Sequence, residues 1–201
     1  MTRVLLASRN KKKLAELRRI LAASSIDGVE IVGLDDVPAF PDAPETGATF
    51  EANALAKARD AVRETGLPTV ADDSGIAIDA LNGMPGVLSA RWSGTHGNDQ
   101  ANLDLVLAQL TDVPDERRGG AFVCALALVH PDGRELVLRS EWRGRITREP
   151  SGANGFGYDP IFVPEGHAET SAELAPEAKD GISHRGQALR ELLPHLASLS
   201  D

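Results

Sequence analysis

The sequence has a single cysteine, few aromatic residues and no long apolar run. Cys124 is the one cysteine among 201 residues, which excludes an intramolecular disulfide and a cysteine zinc cluster. It lies in the apolar run 122–129, so a buried structural thiol is favoured over a nucleophile. No segment approaches the roughly 20 apolar residues of a membrane span, and the N-terminus shows no signal-peptide pattern. We therefore expect a cytoplasmic protein with no membrane partner.

Basic residues are outnumbered by acidic ones. Twenty-one Lys and Arg against 30 Asp and Glu give a formal charge of -9. A net negative protein repels nucleic-acid backbones, so direct nucleic-acid binding is not expected. The net negative charge is still compatible with a small anionic substrate, provided that local lysines and a metal offset the acidic charge.

Apolar periodicity predicts strands interspersed with helices in one α/β domain. Short apolar runs predict strands at 4–7, 69–71 and 161–163, and alternation at Ile76, Ile78 and Ala80 indicates that extended structure continues beyond the second of them. Two longer runs at 121–129 and 135–142 flank a Pro-Asp-Gly turn and predict a hairpin. Helices are predicted over about 11–23, from a cap at Thr49 to about residue 65, over 99–110, and from near Ser183 onward. The last helix is expected to bury Leu189, Leu192, Leu193 and Leu196. Repeats and linkers are missing, which favours one compact unit.

Three lysines stand where the first helix is expected to begin. Asn10 can cap that helix, and Lys11, Lys12 and Lys13 fill its first turn. A helix N-terminus carries unpaired N–H groups and the positive end of the dipole, so positive side chains are unfavourable there unless an anion binds. A phosphate-binding turn and a solvated lysine run are both open interpretations, and the Walker pattern is absent.

Two consecutive carboxylates follow an apolar strand at Asp72 and Asp73. Adjacent side chains of an extended chain point to opposite faces, so the two are expected to have different roles. One could ligate magnesium or orient water while its neighbour braces the loop, because ligands of α/β sheets bind where strands end. A structural turn that carries two aspartates is the alternative.

Glu45 and Lys57 are weaker candidates on either side of the second helix's start. Glu45 could supply another metal oxygen, since Mg²⁺ needs only one or two carboxylates beside water and substrate phosphates. Lys57 lies inside the helix and could reach a phosphate if that helix flanks the pocket. For either residue alone, an exposed surface charge is the simpler interpretation.

Glycines surround Phe156 and Tyr158 in the segment 152–160. Glycine allows the backbone to approach a ligand, and the rings offer stacking faces; a tight turn with a core aromatic is the alternative. Farther along, Lys179, His184 and Arg185 stand near the start of the last helix. The last two could donate hydrogen bonds to the carbonyl oxygens of a base, or they could be exposed residues at a helix cap.

Together these segments resemble the ITPase family, also called the Ham1-like or XTP/dITP diphosphatase family, in its bacterial form. They keep the family's order from about Val4 to Leu193. The matching stretches are ASRNKKKLAEL (7–17), ETG (45–47), TFEANALAK (49–57), ADDSG (71–75), PG (85–86), SAR (89–91), GFGYDPIF (155–162) and ISHRGQAL (182–189).

The resemblance implies an elongated, two-lobed ITPase/Maf-like α/β fold with a central mixed β-sheet flanked by helices. It implies one pyrophosphatase domain over residues 1–201, with a substrate cleft between its lobes, and usually a homodimer.

The resemblance also implies roles for matching residues. Asp73 is implied to be the general base and, with Glu45, a ligand of Mg²⁺. Ser74 contacts substrate, and Phe156 packs on the purine. The other implied substrate-binding residues are Ser8, Arg9, Asn10, Lys11, Lys12, Lys13, Lys57, Gly157, Tyr158, Asp159, Lys179, His184 and Arg185.

The implied activity is magnesium-dependent hydrolysis of ITP, dITP and XTP to the monophosphate and pyrophosphate, which keeps these nucleotides out of DNA and RNA. A pocket that donates hydrogen bonds to the 6-keto oxygen would disfavour ATP, whose 6-amino group is itself a donor. Two rivals are a Maf-like pyrophosphatase acting on pyrimidine or modified nucleotides, and a nucleotide-binding module without turnover.

Overall fold

The computed structural model describes residues 1–24, 26–41 and 44–199. Strands and helices alternate over much of this chain. In chain order they are β1 (Thr2–Leu6), α1 (Lys11–Ala22), β2 (Val29–Val32), α2 (Phe50–Thr65), β3 (Thr69–Ile78), α3 (Asp99–Gln109), β4 (Gly119–Val129), β5 (Glu135–Ile146), β6 (Phe162–Pro164), α4 (Pro176–Ile182) and α5 (His184–Ala197).

The strands form one sheet of mixed direction in the order β2-β1-β3-β4-β5-β6. β1 runs parallel to β2, with Val4 opposite Ile31, and parallel to β3, with Leu5 opposite Thr69. β6 pairs antiparallel with β5. The prediction of an α/β fold with a central mixed sheet is therefore confirmed.

Packing divides the chain into two units, each assembled from separate segments. Unit 1 comprises 1–73, 124–140 and 187–201, and unit 2 comprises 74–123 and 141–186. The expectation of a single domain over residues 1–201 stays a prediction. Within the three described stretches, no helix combines the length and apolar character that a membrane span requires.

The core of unit 1 is formed by β1, α1 and α5 around the middle of the sheet. Cys124 is fully buried in this core, in agreement with the expected structural thiol. Its larger members include Val4, Leu6, Leu17, Leu21, Leu126, Leu128, Leu189, Leu192 and Leu196. Leu193, which we expected to be buried with its neighbours on α5, is only half-buried.

Leu192→Ala is expected to lower the free energy of unfolding by about 2–5 kcal/mol, because it leaves a cavity at a fully buried position. Leu193→Ala, one residue along the same helix, removes the same atoms from a half-buried position and should cost less. Urea unfolding monitored by circular dichroism measures both changes. Equal losses would contradict this account of the core.

The core of unit 2 is rich in aromatic rings. Phe122 of β4 lies edge-on to Phe162 of β6, with centroids 4.7 Å apart, and Trp142 of β5 lies 5.4 Å from Phe162. Aliphatic side chains from β3 and α3 complete this core. Most of the sequence's few aromatic residues therefore serve the core of one unit.

The predicted helix starts are confirmed by their caps. The Asn10 side chain accepts a hydrogen bond from the Lys12 N–H at 3.0 Å, and Thr49 accepts one from Ala52 at 3.1 Å. At α5, the Ser183 hydroxyl accepts the Gly186 N–H at 3.1 Å.

The prediction that the strand from Thr69 ends at the two aspartates is wrong, because β3 runs unbroken to Ile78. The prediction that extended structure continues through Ile76 and Ile78 is confirmed. Asp72 and Asp73 therefore lie inside a strand and not in a turn at its end. β3 lies between β1 and β4 in the sheet, so the backbone that carries the two aspartates belongs to an interior strand.

Candidate active site

In unit 1, the turn between β1 and α1 directs one lysine towards a carboxylate of β3. Lys13 Nζ lies 2.5 Å from Asp72 Oδ2, and both side chains are largely buried. Ser8 Oγ accepts the Asn10 N–H at 3.3 Å, which orders the turn ahead of the helix. Lys13, one of the implied phosphate-binding residues, is thus held beside Asp72.

The other basic residues of this turn face solvent. Arg9, Lys11 and Lys12 are exposed, and Lys11 Nζ lies 3.5 Å from the exposed Asp35 carboxylate. The first turn of α1 contains no acidic residue, so positive side chains and the positive end of the helix dipole coincide there. This combination attracts an anion.

Asp72 and Asp73 have different partners, as their adjacent positions on a strand predict. Asp72 pairs with Lys13, whereas the Asp73 carboxylate accepts a hydrogen bond from Asn53 Nδ2 of α2 at 2.8 Å. Asp73 is only 7% exposed. The carboxylate of Asp73 is therefore held in one orientation by a neutral donor.

Lys57 of α2 lies among three oxygen-bearing groups. Its Nζ forms an ion pair with Glu45, lies 3.8 Å from Asp73 Oδ1, and donates to the Asp72 carbonyl oxygen at 3.4 Å. One ammonium group therefore connects the segment that carries Glu45 to both aspartates of β3.

Burial and neighbouring charges of opposite sign shift the pKa in opposite directions, for Asp73 and for Lys57 alike. Burial raises the pKa of Asp73, and the charge of Lys57 and the hydrogen bond from Asn53 offset that rise only in part. Burial favours a lower pKa for Lys57, but the Glu45 hydrogen bond and the charges of Asp73 and Glu45 outweigh it and raise that pKa. Lys57 stays charged, and Asp73 is a stronger proton acceptor than an ordinary aspartate.

The oxygen donors here suit a hard cation. Glu45 and Asp73 both approach the Lys57 ammonium group, so the protein already holds positive charge between these two carboxylates. Among the described residues, no group of three or more His, Cys, Asp or Glu side chains is arranged to hold a metal by itself. The pair fits Mg²⁺, which completes its coordination with water and phosphate oxygens.

In unit 2, Phe156 is an exposed ring beside two cationic side chains. It is 39% exposed, with Lys179 Nζ 5.8 Å from its centroid and the Arg185 guanidinium 5.7 Å from it. Arg185 also donates to Ser74 Oγ at 3.2 Å. The structure thus brings together four implied substrate-binding residues as a stacking face flanked by donors.

Asp159 fixes the backbone that carries Phe156. Its carboxylate accepts the Phe156 N–H at 2.8 Å and the Lys179 ammonium at 2.5 Å, and Ser171 donates to its other oxygen at 2.8 Å. Gly155 has φ +77, and a Cβ there would lie 2.0 Å from Asp159 Oδ2, so only glycine fits. Asp159 therefore holds the Phe156 backbone and the Lys179 side chain in place within unit 2.

Tyr158, Gly157 and His184 likewise have partners within unit 2. The Tyr158 hydroxyl donates to the Ser89 carbonyl oxygen at 2.7 Å, and the Gly157 N–H donates to Asp99 at 2.9 Å. The buried His184 ring stacks on Phe122, with centroids 5.0 Å apart. Substrate contacts by these three residues stay predictions.

Sequence reasoning missed the part played by Asn53, although this residue lies within the TFEANALAK stretch. A polar side chain four positions before Lys57 shares its helical face, and that spacing was the available signal. The spacing does not reveal the partner of Asn53. In the structure Asn53 is 2% exposed and donates a hydrogen bond to the Asp73 carboxylate.

The sequence model of the Ham1 family matches residues 4–195. The dITP/XTP pyrophosphatase of Nocardia farcinica is 70% identical over 201 residues, covering 100% of this chain and 98% of the relative. The dITP/XTP pyrophosphatase of Mycobacterium tuberculosis is 62% identical over 200 residues, with the same two shares.

Solved structures agree with the sequence relatives. A nucleoside-triphosphatase and dITP/XTP pyrophosphatase from Mycobacterium abscessus superposes with a TM-score of 0.81 at 64% identity, covering 97% of this chain and 100% of that one. A HAM1 protein from Coxiella burnetii gives a TM-score of 0.90 at 43% identity, covering 98% and 100%.

Proposed function

Since this chain belongs to the Ham1 family, we propose that it hydrolyses non-standard purine nucleoside triphosphates, namely ITP, dITP and XTP, to the monophosphate and pyrophosphate. The observation that carries the proposed chemistry is Asp73, a buried carboxylate held by Asn53 and close to the Lys57 ammonium group. The reaction removes these nucleotides from the pool before a polymerase can incorporate them.

The unit 1 residues suit a triphosphate. The exposed Arg9, Lys11 and Lys12 attract the anion, and Lys13 and Lys57 offer ammonium groups beside the two aspartates. Charges that are already fixed in place stabilise negative charge developing on phosphate oxygens, and they do so without reorganisation. This supports phosphate binding by 8–13 and Lys57.

Asp73 acts as the general base. Water attacks the α-phosphorus, the Asp73 carboxylate takes its proton, and the bond from the α-phosphorus to the bridging oxygen breaks. Pyrophosphate leaves with that oxygen and the electron pair. The raised pKa of Asp73, caused mainly by burial, strengthens it as an acceptor for this proton.

The proposal includes a requirement of the hydrolysis for Mg²⁺. Glu45 and Asp73 would hold the ion together with phosphate oxygens, and the ion would supply positive charge that stabilises the transition state. Lys57, which pairs with Glu45 and approaches Asp73, keeps the two carboxylates close together before nucleotide binds.

The unit 2 residues suit a 6-keto purine. Phe156 offers a stacking face for the base, and Lys179 and Arg185 are donors that match a carbonyl oxygen. ATP places an amino group at that position, so a donor would face a donor. Asp159, Tyr158 and Gly157 support this face through hydrogen bonds within the unit.

We further propose a homodimer in the cytoplasm, where the free nucleotide pool lies. The family resemblance supports the homodimer, and the lack of a signal-peptide pattern in the sequence supports the location. Light scattering is expected to give twice the 21.3 kDa mass of one chain, and the mass of a single chain would contradict the dimer.

Pyrophosphate release from ITP, XTP, dITP, GTP, ATP and dTTP, measured with Mg²⁺ and with EDTA, tests the proposal. Release from the first three that depends on Mg²⁺, with little from the others, is the expected result. Turnover of dTTP alone would favour a Maf-like pyrophosphatase. Binding of ITP without turnover of any nucleotide would favour the silent nucleotide-binding module.

Arg185→Ala is expected to narrow the preference for ITP over ATP by about 10- to 100-fold, the effect of losing a charged hydrogen bond of about 1.5–3 kcal/mol. Arg185 is only 8% exposed and lies beside Phe156. The ratio of kcat/KM for the two nucleotides measures the change. Arg145→Ala, at an exposed position of β5 in the same unit, should leave the ratio unchanged. An unaltered ratio in Arg185→Ala would remove Arg185 from base recognition.

A further inference from the structure

The amide of Asn53 links two segments of unit 1 that carry candidate catalytic carboxylates. Its Nδ2 donates to Asp73 Oδ2 at 2.8 Å, and its Oδ1 accepts the Gly47 N–H at 2.7 Å. The side chain is 2% exposed. One buried amide therefore connects β3 to the segment in which Glu45 lies two residues before Gly47.

The orientation of this amide is determined by its two partners. A carboxylate accepts hydrogen bonds only, and a backbone N–H donates only. Turning the amide over would place its oxygen against the Asp73 carboxylate and its NH₂ group against the Gly47 N–H. Both hydrogen bonds would become repulsive, so a single orientation satisfies the site.

The contact with Gly47 is tight enough to require glycine. A Cβ on Gly47 would lie 2.6 Å from Asn53 Oδ1 and 2.9 Å from the Ala52 Cβ. The backbone of this segment therefore packs directly on α2, and the position of the segment depends on Asn53.

We propose that Asn53 is a positioning residue that fixes the Asp73 carboxylate relative to the Glu45 segment during hydrolysis. This inference rests on the function proposed above, since it assigns to Asn53 the alignment of groups that act in that reaction. Asn53 itself contacts neither the water nor the phosphates in this role. Its loss misaligns the reacting groups and leaves the nucleotide-binding side chains in place.

Asn53→Ala is expected to lower kcat for ITP by about 10- to 100-fold, because small displacements of catalytic groups are costly. KM should stay within about threefold of the wild-type value, since the nucleotide-binding side chains remain. Steady-state pyrophosphate release gives both parameters. A loss of folding alone would lower the active fraction, and melting curves recorded on the same samples detect it.

Asn102 of α3 supplies a matched control in unit 2. It is 1% exposed, accepts the Ser93 N–H at 2.7 Å and donates to the Ala90 carbonyl oxygen at 3.2 Å. Like Asn53, it is a buried helical amide that secures a neighbouring segment, but both its partners are backbone groups. Asn102→Ala should lower the melting temperature and leave kcat within about threefold of wild type.

Asn53→Asp is the variant to measure if Asn53→Ala does not fold. It preserves the side-chain shape and an acceptor for the Gly47 N–H, but it presents a second acceptor to Asp73. We expect its kcat to fall at least as far as that of a folded alanine variant.

The outcomes separate this inference from the proposed function. Release by the wild type, with a kcat decrease in the Asn53 variant and none in Asn102→Ala, supports it. Release by the wild type with kcat unchanged in the Asn53 variant, or lowered equally in Asn102→Ala, overturns it alone. No release from ITP by the wild type would overturn the proposed function and this inference with it.

Discussion

Asp73→Asn should lower kcat for ITP by about 10²–10⁴-fold, the usual contribution of a general base, while the nucleotide still binds. Asparagine has nearly the same shape as aspartate, but its amide cannot accept a proton from water. Asp73 is buried and held beside Asn53 and Lys57, so the variant removes the acceptor and keeps a side chain of the same size in that place. Pyrophosphate release measures the loss of turnover, and calorimetric titration with ITP measures the binding that remains.

Asp79→Asn is the control for this experiment. Asp79 follows β3 directly and forms an exposed ion pair with Arg143 at 2.7 Å, and neither residue has a role in the proposed reaction. Its replacement should leave kcat unchanged. Near wild-type kcat in Asp73→Asn would disprove the base role, and a much larger loss in Asp72→Asn would transfer that role to Asp72.

Lys57→Met is expected to reduce kcat/KM for ITP by about 10²–10³-fold, comparable to the loss of one fixed donor to a developing negative charge. Methionine keeps the unbranched shape and most of the length of the lysine side chain and removes its charge. Glu45 and Asp73 would then face each other without the ammonium group that now approaches both. The triphosphate would also lose a partner, so both KM and kcat should change. Initial rates over a range of ITP concentrations separate the two effects.

Two further variants test whether the effect of Lys57→Met comes from the loss of positive charge at position 57. Arg63→Met removes a cation from an exposed position of the same helix, where it pairs with Asp60 at 2.8 Å, and should have no effect. Lys57→Arg keeps the charge and should restore part of the activity. If Lys57→Met and Arg63→Met behaved alike, Lys57 would have no part in the reaction.

The sequence predicts the elements whose causes are local. Asn10 and Thr49 mark helix starts through their own side chains, and the Pro-Asp-Gly turn marks the hairpin of β4 and β5. β2 and α4 were not predicted. β2 has only four residues, and α4 contains few apolar side chains, so both depend on contacts with distant parts of the chain.

In the candidate site, too, features with local causes were predictable from the sequence and features that depend on distant residues were not. Alternation along a strand correctly predicts that Asp72 and Asp73 differ in environment. The stacking of His184 on Phe122 and the link from Asn53 to Asp73 join residues that are far apart in sequence. Spacing places Asn53 on the same face of α2 as Lys57, but the distant partner in each pair is specified only by the folded chain.

The segmented make-up of the two units bears on how the substrate preference of this protein can change. The chain passes between units after Asp73, Val123, Ser140 and Gly186, so neither unit is an uninterrupted stretch of sequence. The residues proposed to read the base belong to unit 2, and the carboxylates proposed for hydrolysis belong to unit 1. A single recombination event therefore cannot exchange one whole unit and spare the other. Exchange of a whole unit between relatives would need four matched junctions, so point substitution around Phe156 and Arg185 is the simpler route to a new base preference.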